Sequence, residues 1–71
     1  MGMPLSPRET DVLRMVSRGL TNAEIAQRTG ITVHTVKFHL AAVYRKLGAS
    51  NRTEAAALYL STATNGITEA D

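Results

Sequence analysis

Thr21–Asn22–Ala23–Glu24–Ile25–Ala26, then Gly30–Ile31–Thr32, then Val33–His34–Thr35–Val36–Lys37–Phe38–His39–Leu40: this stretch decides the fold. Thr21 followed three residues later by Glu24 is a capping box, so a short helix opens there with Ile25 and Ala26 turned inward. Gly30 ends it, since glycine enters the left-handed conformation of a tight helix stop without steric cost. Thr32 caps the next helix, which runs to Leu47 before Gly48. A small residue at Ala26 lets the two helices approach closely, and Ile31 and Val36 lock the second across the first. The spacing is that of a helix-turn-helix over about residues 21–40.

The flanking segments carry equally clear punctuation. Ser6–Pro7–Arg8–Glu9 is another capping box, with proline at the first helical position, where its missing N–H is no loss. Its helix places Val12, Leu13, Val16 and Leu20 on or near one side and stops at Gly19. Asn51–Arg52–Thr53–Glu54 caps a last, alanine-rich helix, and Asn65–Gly66 then releases a polar tail. The expectation is an all-α fold of four helices at about 7–18, 22–29, 33–47 and 52–63. They form one domain over residues 4–64, followed by a flexible tail over residues 65–71. Ile31–Thr32–Val33 alternates but is too short for a strand.

Composition bounds the rest. With 71 residues the chain holds one domain, close to the lower limit for a self-sufficient core. It has no cysteine, so disulfides and thiolate metal sites are excluded as staples. No apolar run spans a bilayer and no signal-peptide pattern opens the chain, which points to the cytoplasm, with no membrane partner. The net charge of +2 conceals a segregation: Ile31 to Arg52 contains Lys37, Arg45, Lys46 and Arg52 and no acid. Such a field suits a polyanion, although charge alone leaves an ordinary solvated face equally open. Two short patterns, Met1–Gly2 with Ser6 for myristoylation and Asn51–Arg52–Thr53 for glycosylation, are read as chance matches.

The third helix carries the functional argument. Val36, Leu40, Val43 and Leu47 recur at i, i+4, i+7 and i+11, a single apolar stripe. At roughly 100° per residue the opposite face presents His34, Phe38, Ala41 and Arg45, with Lys37 on one flank. Thr35, Ala42 and Lys46 fall on the other flank. A donor-bearing face flanked by cations fits a major groove about 12 Å wide. His39 lies at the stripe's edge and reads as a partly buried structural residue, while Tyr44 and Tyr59 read as packing residues. There is no phosphate-binding glycine loop, no nucleophile beside a base and no paired carboxylate, so no enzyme, cofactor or metal is expected.

Four blocks in order resemble the LuxR/NarL/FixJ effector domain across residues 4 to 60. They are Leu5–Ser6–Pro7–Arg8–Glu9, Gly19–Leu20–Thr21–Asn22–Ala23–Glu24–Ile25–Ala26, Thr35–Val36–Lys37–Phe38–His39–Leu40, and Lys46–Leu47–Gly48–Ala49 with Asn51–Arg52–Thr53–Glu54–Ala55. The resemblance implies a sequence-specific DNA-binding domain of a bacterial transcription regulator, with the third helix in the major groove and the fourth forming a homodimer contact on DNA. It implies base contacts at Lys37, Phe38 and His34, with Ala41 at a base-facing position where many members carry a lysine or arginine. Thr35, Arg45 and Lys46 would hold phosphates, with Thr21 and Asn22 offering backbone N–H groups to another. Thr53, Ala57 and Leu60 fall at the family's dimer positions. Members usually carry an N-terminal receiver or ligand-binding domain, which is absent from this sequence. Two alternatives share the fold: a promoter-reading sigma-factor-like domain, which the Lys46–Leu47–Gly48 stop and capped fourth helix oppose, and a protein-interaction module that sequesters a regulator.

Overall fold

The computed structural model describes the backbone of residues 4–70 and the side chains of residues 4–61. Four α-helices follow in order: α1 Pro7–Ser17, α2 Asn22–Thr29, α3 Val33–Leu47 and α4 Arg52–Ala70. There is no strand among the described residues. Both capping boxes form. The Ser6 hydroxyl accepts from the Glu9 N–H at 3.1 Å while the Glu9 carboxylate accepts from the Ser6 N–H at 2.8 Å. Thr21 and Glu24 repeat the arrangement at the same two distances, 3.1 and 2.8 Å.

At the turn between α2 and α3, Gly30 has φ 75°, and its N–H donates to the Ala26 carbonyl at 2.9 Å. A side chain there would force the left-handed region on a residue that resists it. Thr32 then caps α3 through its hydroxyl, which accepts from the Thr35 N–H at 3.0 Å. At the far end of α3 the Gly48 N–H reaches the Arg45 carbonyl and the Ala49 N–H reaches the Tyr44 carbonyl. That paired closure satisfies carbonyls the helix end leaves exposed.

Two apolar clusters hold the helices. In one, Val12 and Val16 of α1 meet Ile25 and Ala26 of α2 and Val36 and Leu40 of α3. In the other, Leu13 of α1, Val43 of α3 and Ala55 of α4 are buried together, with Leu47 and Tyr59 packed against them. Tyr44 touches both clusters. The expected stripe of α3 is therefore the seam of the domain, and α1 and α3 are the two elements that both clusters share.

The first three helices lie within a residue of the expected bounds. The fourth does not end near Ala63: its backbone stays helical through Ala70, with Asn65–Gly66 inside it. Helical backbone thus covers residues 65–70 of the expected tail; residue 71 lies outside the described residues. An interior glycine costs a helix only about 1 kcal/mol relative to alanine, so this pair weakens the helix without stopping it.

Candidate nucleic-acid interface

The outer face of α3 follows from its inner one. Val36 and Val43 are fully buried and Leu40 nearly so, which pins the helix's rotation about its axis. Rotation then leaves His34, Lys37, Phe38, Ala41 and Arg45 exposed. Phe38 is 70% exposed, a large apolar ring held in water. Its ring meets His39 edge-on, centroids 6.0 Å apart at 66°, so the half-buried imidazole steadies the exposed aromatic. The site is an open face: no pocket forms among the described residues.

The other flank of α3 turns toward the body of the domain. Ala42 is buried, and Thr35 and Lys46 are half-buried. The Thr35 hydroxyl lies 2.9 Å from that of Thr32. Two hydroxyls sharing one hydrogen bond still leave one O–H to donate outward. Lys46 is more committed. Its ammonium donates to the Glu9 carboxylate at 2.8 Å, with the two side chains only 20% and 9% exposed. Any phosphate at Lys46 must compete with that pair. Arg45 is exposed and makes no ion pair among the described residues.

Glu9 therefore has two donors, and both favour its ionised form. The Lys46 ammonium beside it, then the Ser6 N–H, hold its carboxyl below the usual glutamate range. Glu24 is lowered for a related reason, chiefly the Thr21 backbone N–H that its carboxylate accepts.

At the amino end of α2 the Thr21 N–H is thus already engaged by Glu24. The amides of Asn22 and Ala23, in the first turn of α2, have no partner within the helix by geometry. On α4, Thr53, Ala57 and Leu60 are all exposed, Leu60 by 50%. Their i, i+4, i+7 spacing puts them on one face.

Against known proteins, the model of the bacterial regulatory proteins of the luxR family matches residues 3–59. The chain belongs to this family. A probable transcriptional regulatory protein SgaR from Hyphomicrobium methylovorum is 51% identical over 57 residues, which is 80% of this chain and 27% of that protein. The nitrate/nitrite response regulator protein NarL from Escherichia coli (strain K12) is 44% identical over 52 residues, 73% of this chain and 24% of that protein. The solved response regulator ChrA of a heme-sensing two-component system superposes with a TM-score of 0.79 at 38% identity, covering 84% of this chain and 30% of that one. The chain thus spans about a quarter of the length of these two curated relatives. It is a LuxR-family helix-turn-helix domain, the DNA-binding module of transcription regulators.

For a LuxR-family domain, the geometry brings together Lys37, Phe38, His34, Ala41 and Arg45 on one exposed face of α3. It sets Thr53, Ala57 and Leu60 apart on α4. Sequence reasoning missed Arg52 as anything beyond part of a cap and a positive charge. Its guanidinium donates to the Asn22 side-chain carbonyl at 2.8 Å, and also to the Leu20 backbone carbonyl. It missed the Glu9–Lys46 pair as well, although Glu9 was legible as a capping residue. Neither contact has a periodic signature, because the partners stand 37 and 30 positions apart. Among the described residues no helix is long and apolar enough to cross a membrane, and no group of side chains suits a metal ion.

Proposed function

We propose that this LuxR-family domain reads operator DNA by laying the outer face of α3 in the major groove, and that two copies pair through α4. The observation that carries the reading is the two-sidedness of α3: a stripe of Val36, Leu40 and Val43 buried behind an exposed cation and an exposed aromatic. Lys37 offers a cationic donor to guanine O6 and N7, and Phe38 an apolar contact to a thymine methyl. His34 stands beside them as a further donor. Ala41 supplies no polar contact, so specificity leans on Lys37 and Phe38. Arg45, Thr35 and the first-turn amide of Asn22 hold phosphates and fix the register, and the Thr21 N–H joins them only where a phosphate displaces Glu24. Lys46 belongs to this set only where a phosphate displaces Glu9.

Pairing through Thr53, Ala57 and Leu60 places two recognition helices on one side of the duplex. Inverted half-sites about 10 bp apart, centre to centre, are the expected target. By analogy with its response-regulator relatives, the domain serves as the output end of a larger regulator whose receiver or ligand-binding domain controls that pairing.

A salt-series titration on a promoter duplex library tests the reading. Log K should fall with log[salt] by about 0.9 per phosphate neutralised. Absence of salt-dependent affinity, even with two copies tethered, overturns DNA recognition. Unchanged operator binding by Leu60→Asp overturns the pairing through α4.

A further inference from the structure

Among its neighbours α2 is the weakly anchored helix. It is 8 residues long and buries only Ile25 and Ala26, both in the cluster it shares with α1 and α3. It packs on α3 and more thinly on α1, and its backbone does not meet α4. Yet one side chain crosses that gap. Arg52 opens α4, and its guanidinium grips the segment leading into α2 at two points, the Leu20 carbonyl and the Asn22 side-chain carbonyl. Arg52 is half-buried and joins no ion pair among the described residues, so its charge is directed at neutral oxygens of this loop.

We infer that Arg52 is a positioning residue for operator binding, holding α2 in a fixed orientation against the pairing helix α4. A short helix pinned by two adjacent core residues can pivot about them. A fork with two donors at its amino end removes that freedom, which a single ammonium cannot do in the same geometry. Since α2 and α3 share one cluster, the clamp also fixes how the recognition helix is presented relative to the second copy. Arg52 acts through Asn22 and Leu20 and itself touches no DNA. The inference rests on the DNA and pairing reading above, but the clamp itself is measurable without DNA.

The test uses the full chain with Arg52→Met, Arg52→Lys, Asn22→Ala and the double variant Arg52→Met with Asn22→Ala. Amide hydrogen exchange is read by NMR without DNA, and affinity is read on paired and single half-site duplexes. Arg52→Met removes both contacts and should speed exchange in α2 by at least about tenfold, the scale of losing one hydrogen bond to a charged group, while the buried turns of α1 keep their protection. Affinity for the paired duplex should fall about tenfold, more than for a single half-site, and tolerance of altered spacing should widen. Arg52→Lys should behave like Arg52→Met, because charge without the fork does not clamp. The double variant should bind no more weakly than Arg52→Met alone, as expected of residues acting as one unit.

Wild-type exchange and binding in Arg52→Lys would assign Arg52 to charge alone and overturn the clamp. So would a uniform rise of exchange across all helices, which marks a purely global loss of stability. Should Arg52→Met fail to fold, Asn22→Ala carries the same measurement, since it leaves the Leu20 contact in place and removes the other. A wild-type chain that ignores DNA would overturn the functional reading, and the exchange data would still decide the clamp.

Discussion

The two faces of α3 are built from neighbouring residues and answer to different physics. Val36 is fully buried and Lys37, the next residue, is exposed; Leu40 is 4% exposed and Phe38, two residues before it, 70%. The inner face must fit α1, α2 and α4 at once, so its residues are constrained by volume. The outer face touches no other helix, so nothing in the fold explains a phenylalanine there. Burying such a ring contributes about 1.5–3 kcal/mol, a gain absent at Phe38 in the free domain and open to a binding partner. An element whose two sides obey different rules should give mutants that separate cleanly.

The largest effect is expected on the inner face. Leu40→Ala should destabilise the domain by about 2–5 kcal/mol, since it removes a buried side chain where three helices meet and the cavity cannot collapse fully. In a domain this small each kcal/mol lowers the melting temperature by about 4–8 °C, so thermal melts will show it directly. Phe38→Ala should stay within about 0.5 kcal/mol of the parent in the same assay while weakening operator binding. Equal destabilisation by both changes would mean that Phe38 packs against something in the folded chain, and the comparison would fail.

The outer face divides further. Lys37→Ala should cost about 1–3 kcal/mol of discrimination, concentrated at one base position in a binding-site selection. Arg45→Ala should instead lower affinity for all sequences alike and reduce the salt slope by about one. A sequence-independent loss in Lys37→Ala would move that residue to the phosphate set and leave Phe38 as the main reader.

Much of this was readable before any coordinates. The helix starts were legible because caps are local: Ser6 with Glu9, Thr21 with Glu24 and Thr32 with Thr35 bond across three residues. The stripe was legible because the helical period fixes which residues share a side. What escaped was long-range and polar. Lys46 is expected at a phosphate, and what the sequence does not show is its pairing with Glu9: that flank of α3 turns inward and the ammonium meets the carboxylate on α1. Arg52 was expected only to charge the surface, and it reaches instead across to the α1–α2 connection. Helical period says which way a side chain leaves its own helix and nothing about what stands opposite. The end of α4 escaped for a different reason: Asn65–Gly66 is a common stop, but a weak one without a competing turn beyond it.

The smallest effect tests the one place where the inner and outer faces of α3 meet, at Lys46. Glu9 titrates below the ordinary glutamate value of 4.5 chiefly because of the Lys46 ammonium, and next because of the Ser6 N–H. A carboxyl whose folded value is depressed stabilises the fold in full above its unfolded value. That stability is lost as pH falls through the folded one. Lys46→Met keeps the apolar stem and the Ser6 bond but removes the ammonium, so the depression of Glu9 should shrink. Urea unfolding of parent and variant across the acid range should then show a stability gap that is widest near neutral pH. The gap should narrow as pH drops below about 4.5. Glu24 titrates in the same range but is lowered mainly by Thr21, which both proteins keep, so its contribution cancels in the difference. A gap independent of pH would assign Lys46 to stem packing against the domain. If Lys46→Met also weakened binding to every operator and lowered the salt slope, a phosphate would be winning the ammonium from Glu9. Lys46 would then be a residue that exchanges an internal carboxylate for the DNA backbone on binding.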